Sequence, residues 1–236
     1  MESLRGQHVL VTGAGGALGG AVCAALVASG ARVTGADLRR TTLDALRAEL
    51  GQPERLQVAD ADVSSTPKVE ALLDAVERGT GPLDAAVHCV GGWAGASLAE
   101  TDDELLERML GLNLVAAARV MRASLRRMLP RGAGRVVVVC GLAAEGPSPG
   151  AAAYGASKAA LAHLVGTAAA ECNGRGVTVN AVMPGMMDTP ANRAAMPDVD
   201  PARWVKTVTV AKAIAALLGP GGDGVTGALV RLPDRG

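Results

Sequence analysis

A tyrosine and a lysine stand four apart in Tyr154-Gly155-Ala156-Ser157-Lys158. The chain has no phenylalanine, this single tyrosine, and four lysines against nineteen arginines. A composition that avoids both residue types has kept one of each at helical spacing, on one face near the start of a helix. An ammonium beside a phenol stabilises the phenolate and draws its pKa down from about 10. Such a pair is a general acid for an alkoxide formed by hydride transfer, and the lysine also reaches a ribose hydroxyl. A second group, Thr12-Gly13-Ala14-Gly15-Gly16-Ala17-Leu18-Gly19, joins a Val-rich run to an apolar helical pattern. Glycines in a strand-to-helix turn let backbone N–H groups and the positive end of the helix dipole approach a pyrophosphate. Asp37, 24 residues beyond Gly13 at the end of the next β-branched run, offers a carboxylate to a ribose 2′-OH, which favours NAD(H). Arg39-Arg40, directly after it, would attract a 2′-phosphate and leave NADP(H) open as a second cofactor.

These groups lie far apart in the chain, so a scaffold must bring them to one edge. Short β-branched runs at His8–Thr12, Arg32–Asp37, Leu56–Ala59, Ala85–Cys89, Arg135–Cys140, Val177–Val182 and Ala228–Leu232 read as strands. Helical patterns fall between them, the longest at Asp102–Leu129 and Ala151–Cys172, and Ser65-Thr66-Pro67 reads as a helix cap with proline at the first helical position. This alternation is the pattern of an α/β fold, a parallel sheet of about seven strands with helices on both faces. No linker or repeat interrupts it, so residues 1–236 read as a single domain. Residues 185–206, rich in proline and carrying Trp204, read as a long loop or lid over the substrate.

Composition narrows the partners. With 49% apolar residues the chain can bury a sizeable core, and 23 basic residues balance 23 acidic ones. No basic block suits nucleic acid or a membrane surface. Residues 9–31 carry no charge, but five glycines crowd their middle, where a membrane span or signal segment would want leucine. Four cysteines stand far apart with no histidine at ligand spacing, which suggests reduced thiols, a cytoplasmic location and no metal.

The glycine turn, Asp37 and the Tyr-x-x-x-Lys motif, in that order, resemble the short-chain dehydrogenase/reductase family over essentially the whole chain. The resemblance implies a Rossmann-like doubly wound sheet, a small-molecule substrate and a homo-oligomer, a tetramer or a dimer. It assigns Tyr154, Lys158 and Asn113 to catalysis, with Asn113 helping to hold a proton-relay water. It assigns Gly13, Gly16, Ala17, Leu18 and Gly19 to the pyrophosphate turn, Asp37 to the ribose, and Asp62 and Val63 to the adenine. Val90 and Gly91 follow the fourth strand beside the cofactor, Lys158 holds the ribose, and Pro184, Gly185, Met187 and Thr189 lie along the nicotinamide.

Three departures from the family's pattern matter. Thirteen residues before Tyr154, where the family has a serine hydroxyl to polarise the substrate carbonyl, stands Gly141. Cys140 and Ser148 are the neighbouring groups, and neither is a ready substitute. The Asn-Asn-Ala-Gly after the fourth strand is His88-Cys89-Val90-Gly91, and the middle glycine of the turn is Ala17. These departures, with Cys89-Val90-Gly91-Gly92-Trp93-Ala94-Gly95 and the stretch from Asp188 to Pro197, look like the dihydropteridine reductases. Trp93, Trp204 and Gly141 are then expected to face the substrate, and the expected reaction is hydride transfer from NAD(P)H to an activated, flat heterocycle. An alternative is a carbonyl reductase or alcohol dehydrogenase, including 3-oxoacyl-type and natural-product ketoreductases. A third, of another class, is a cofactor-binding regulatory protein without redox turnover.

Overall fold

Valine and isoleucine fit a pleated, doubly covered surface, and parallel strands buried on both faces read as continuous apolar runs. The computed structural model describes residues 3–51 and 54–234 and turns these runs into one parallel sheet. Its elements are β1 (His8–Thr12), α1 (Ala17–Ala28), β2 (Arg32–Asp37), α2 (Arg40–Glu49), β3 (Leu56–Asp60), α3 (Thr66–Thr80), β4 (Ala85–His88), α4 (Asp103–Leu110), α5 (Ala116–Met128), β5 (Gly134–Val139), α6 (Ala152–Cys172), β6 (Val177–Pro184), β7 (Met187–Asp188), α7 (Pro190–Ala195), β8 (Val205–Lys206), α8 (Thr207–Leu218) and β9 (Leu229–Leu232). Sheet order is β3-β2-β1-β4-β5-β6-β9, every neighbouring pair parallel. This is the doubly wound Rossmann-like architecture expected from the alternation. The order reverses between β1 and β4, which opens a crevice at their carboxyl ends. The last rung there pairs Thr12 with His88.

Two cores sandwich the sheet. One face packs Leu10, Ala86, Val136 and Val138 against Leu73 of α3, Val120 of α5 and Leu161 of α6. The other packs Val9, Val11, Val87 and Val137 against Val22 of α1, Leu43 of α2 and Ile214 of α8. Both are needed to hold the crevice residues, because β1 and β4 are covered from each side.

Four sequence expectations change. The long helix expected over Asp102–Leu129 is divided by a π-helical segment at Gly111–Val115, an extra residue in the turn that carries the buried Asn113. Ser65 precedes α3 as expected, but its side chain makes no capping hydrogen bond. The strand expected to end at Cys89 ends at His88, though the Cys89 amide still donates to Thr12 O at 2.9 Å. Residues 185–206 are not an irregular loop: β7 and β8 pair in parallel at its base and α7 lies between them. Asp188 locks this segment, accepting from Arg193 Nε and Lys206 Nζ, each at 2.6 Å. Hydrogen bonds from those two cations hold its carboxyl well below the usual carboxylate range.

Candidate active site

A cleft of about 840 Å³ opens over the carboxyl ends of β1, β2 and β4. Gly13, Gly16, Asp37, Asp62, Val63, Val90 and Gly91 line it, which brings together the glycine turn, the ribose carboxylate and the expected adenine residues; the expected nicotinamide-side residues Pro184, Gly185, Met187 and Thr189 lie outside its lining. Gly13 takes φ +78°, and a Cβ there would come within 3.0 Å of the Cys89 carbonyl carbon. At Gly19 a Cβ would stand 2.0 Å from Gly13 O, so the turn closes only with glycine. Gly16 caps α1, whose first amides have no partner within the helix and whose first turn carries no acidic side chain. The strand-to-helix cradle therefore fits the pyrophosphate of a dinucleotide. Asp37 is fixed beside it, accepting from the Gly15 amide at 3.0 Å and the Arg39 amide at 3.1 Å.

Not every expected contact is free to act through its side chain. Leu18 is buried in the core and Ala17 and Gly19 do not line the cleft, so these three contribute backbone at most. Asp62 accepts from Lys68 Nζ at 2.6 Å and from the Ser64 amide at 2.7 Å; Lys68 first and Ser64 second pull its pKa down to about 2. Leu38, next to Asp37, lines the cleft too, and so do Glu107 and Arg119, a contribution that only the fold could reveal, because α4 and α5 are distant in sequence.

Beyond Gly91 lies a second group. Tyr154 and Lys158 share a face of α6, with Lys158 Nζ 5.8 Å from the centre of the phenol ring. Lys158 is buried and donates to Val139 O at 3.3 Å. Burial lowers the Lys158 pKa and raises that of Tyr154. The expected lowering of the phenol is thus overturned: desolvation first, then the Cys140 thiol, raises it, and the ammonium is not bonded to the hydroxyl. A phenol that stays protonated still suits a proton donor.

Asn113 clamps this group from the π segment. Its Oδ1 accepts from the Gly92 amide and its Nδ2 donates to Gly92 O, both at 3.0 Å, while Nδ2 also reaches Ser157 Oγ at 3.1 Å. Ser157 Oγ in turn donates to Tyr154 O at 2.7 Å. Ser157 was present in the Tyr-x-x-x-Lys motif, but its link to Asn113 needs the π turn to be seen. Gly91 joins the two groups, since a Cβ there would lie 2.9 Å from Asn113 Oδ1 and 3.4 Å from Lys158 Nζ.

Gly141 faces the phenol. A Cβ at this position would lie 3.1 Å from Tyr154 Oη and 3.9 Å from Pro184 O, so the hydroxyl rests where a side chain would begin. Cys140 is turned away, its thiol on Lys158 O at 3.2 Å, and Ser148 packs on Gly155 with its hydroxyl toward Ala143 O. Neither replaces the missing donor.

The short chain dehydrogenase family profile matches residues 7–200. The chain belongs to the short-chain dehydrogenase family. Among its relatives is a putative ketoacyl reductase of Streptomyces coelicolor, 33% identical over 251 residues and covering 96% of this chain and 95% of that one. Among solved structures, a variant of actinorhodin polyketide ketoreductase with NADPH superposes with a TM-score of 0.90 at 30% identity, covering 99% of this chain and 97% of that one. An NAD+-bound xylitol dehydrogenase gives 0.89 at 27% identity, covering 99% of each chain. These matches make the protein an oxidoreductase of this family.

On the substrate side of this short-chain dehydrogenase the expectations divide. Trp93 is 69% exposed after β4 and free to meet a ligand. Trp204, within the 185–206 segment, is by contrast buried at 4% exposure. Thr189 caps α7 by accepting from the Asn192 amide at 3.2 Å, which leaves its O–H to donate. Gly185 is covered by Asp234 of the C-terminal tail, and Pro184 and Met187 flank it at the end of β6 and in β7. Glu145 pairs with Arg231 at 3.1 Å and ties the loop after β5 to β9. Among the described residues no cluster of metal-ligating side chains occurs and no helix is long and apolar enough to cross a membrane.

His88 brings a pH dependence. Burial first, then the Lys158 ammonium, push its pKa down to about 3 from 6.5. A histidine depressed in the folded state stabilises the fold above its unfolded pKa and loses that contribution as pH falls. Stability should therefore drop by about 1.4 kcal/mol per pH unit below about pH 6.5. Between pH 6.5 and 5, ahead of the carboxylates, urea midpoints should show at least this slope; His88→Asn should remove the His88 share and leave that of His8, whose pKa burial also lowers, and an unchanged slope would contradict the assignment.

Proposed function

We propose that this short-chain dehydrogenase is an NAD(P)H-dependent carbonyl reductase whose acceptor brings its own activation. The names of its relatives, a ketoacyl reductase and a polyketide ketoreductase, support carbonyl reduction as the class. The observation that carries the restriction is Tyr154 Oη standing against Gly141 with no second hydroxyl donor beside it. In this reading the bound dinucleotide supplies a hydride. Tyr154 delivers the proton to the acceptor oxygen as charge develops there, and Lys158 holds the cofactor ribose and supports the phenol. Asn113 fixes the loop at Gly92 and, through Ser157, the turn that carries Tyr154. Gly141, lacking a side chain, leaves room beside the phenol for a flat acceptor.

A second reading, hydride transfer to a quinonoid dihydropterin as in the dihydropteridine reductases, is favoured by Gly141 together with the exposed Trp93, whose face suits stacking on a planar ring. Such an acceptor regains conjugation on reduction and has little need of a second donor. Steady-state assays of the wild-type protein with aliphatic ketones, conjugated ketones and a quinonoid dihydropterin decide between the two. Absence of turnover with every acceptor would instead favour a binding protein that has lost redox function. The same proposal places the protein in the cytoplasm, in keeping with four free cysteines, and, from the family resemblance alone, as a homo-oligomer.

Asp37 sets the expected cofactor preference. A 2′-phosphate beside its carboxylate would be repelled, so NADH should bind more tightly than NADPH. Fluorescence titration measures both dissociation constants; equal values, or a preference for NADPH through Arg39 and Arg40, would overturn the role given to Asp37.

A further inference from the structure

His88 occupies the last rung of β4 at the point where the strand order reverses, paired in register with Thr12 of β1. It is 1% exposed. One ring nitrogen is accounted for: Nδ1 lies 2.8 Å from Thr12 Oγ1. The other, Nε2, is buried and meets no hydrogen-bond partner. Buried ring nitrogens are costly unless paired, so this atom points to a contact that the fold has been built to make.

The surroundings say which contact. Alternation along β4 puts His88 on the same face as Ala86, the face covered by α5 and α6. From α6 comes Lys158, the charge that acts on His88 and the group whose Nζ has Val139 O as its hydrogen-bond acceptor. Cys140 just after β5 and Tyr154 on α6 are the other titratable groups there, and burial keeps both protonated. An ammonium has three donors and no acceptor, so it seeks a lone pair. The Thr12 hydroxyl lies 2.8 Å from Nδ1 and 3.5 Å from Val87 O; the tautomer that serves Lys158 is the one in which Thr12 turns its proton to Val87 O, accepts the Nδ1 proton and leaves Nε2 as an acceptor.

We propose that His88 is a positioning residue: its Nε2 accepts, through one bridging water, a hydrogen bond from the Lys158 side and so fixes the ammonium beneath Tyr154. The Thr12–His88 pair then links the floor of the cofactor cleft, which Thr12 lines, to the acid pair. The family's asparagine at this position is replaced by a ring whose second nitrogen reaches further. This inference rests on the reading of Tyr154 and Lys158 as the acid pair, but its spectroscopic test does not.

The protein has three histidines, so 15N-histidine spectra resolve each ring. His88 should show a protonated Nδ1 and an unprotonated Nε2, and Lys158→Met should shift the His88 Nε2 resonance while leaving His163 unmoved. A protonated Nε2, or no response to Lys158→Met, overturns the proposal whatever the activity. In turnover, His88→Leu should lower kcat about tenfold, as expected for a misplaced catalytic group, and His88→Gln, which can present an acceptor at a similar reach, should recover most of the loss. Equal rates for wild type, His88→Leu and His88→Gln would also overturn it. Full activity of Tyr154→Phe would remove the acid-pair reading alone and leave the 15N result standing.

Discussion

Tyr154→Phe is expected to lower turnover by about 10²–10⁴-fold, the range in which a positioned general acid contributes. The change deletes one oxygen. Lys158 keeps its bond to Val139 O, Asn113 keeps its clamp on Gly92, and Ser157 keeps its contact with the residue-154 carbonyl, since none of these uses the phenol hydroxyl. Folding and NADH affinity should therefore change little while kcat collapses. No other hydroxyl is placed to take over, because Ser148 packs on Gly155 and position 141 has no side chain. A variant with kcat within threefold of wild type would remove Tyr154 from the mechanism.

Gly141→Ser is expected to change which acceptors are used. An unactivated ketone needs a donor aimed at its oxygen as charge develops, and one such donor is worth about 10²–10³-fold in rate. The backbone at Gly141 is extended, at φ 164° and ψ 154°, so a serine meets no conformational barrier. Space is tighter, because the new Cβ would lie 3.1 Å from Tyr154 Oη and the phenol must give by a few tenths of an ångström. The gain in kcat/KM for aliphatic ketones should thus be at least about tenfold but short of the full value of a preorganised donor. Activated acceptors should gain little or lose. Equal losses on both classes would show that the phenol cannot yield, and that glycine is required for space and not tolerated for want of a donor.

The strands and the glycine cradle were legible because they rest on local rules. Val-rich runs of four to six residues have few alternatives to a buried parallel strand, and a glycine turn between strand and helix exposes amides wherever it occurs. Asp37 was found by its distance from Gly13, and its two amide contacts keep it at the cleft. Features that depend on three-dimensional packing were not legible. The π turn at Gly111–Val115 leaves no mark in an apolar periodicity, yet it places Asn113 against Gly92 and Ser157. Trp204 and Trp93 look alike in sequence, each near a loop, and only the fold buries one and exposes the other. The phenol's pKa failed for a related reason: four residues of spacing establish proximity to Lys158, while burial, which dominates the shift, is a property of the whole fold.

Acceptor-dependent oxidation of NADH by the wild-type protein tests the central claim most directly. The acceptors form a series from an aliphatic ketone through a conjugated diketone to a quinonoid dihydropterin, each measured to kcat/KM at one pH. The predicted result is activated acceptors turned over far faster than the aliphatic ketone, since Tyr154 acts without a second donor at position 141, and which of the conjugated diketone and the dihydropterin is faster separates the two readings. Aliphatic ketones reduced as fast as the activated acceptors, or NADH bound but never oxidised, would contradict it.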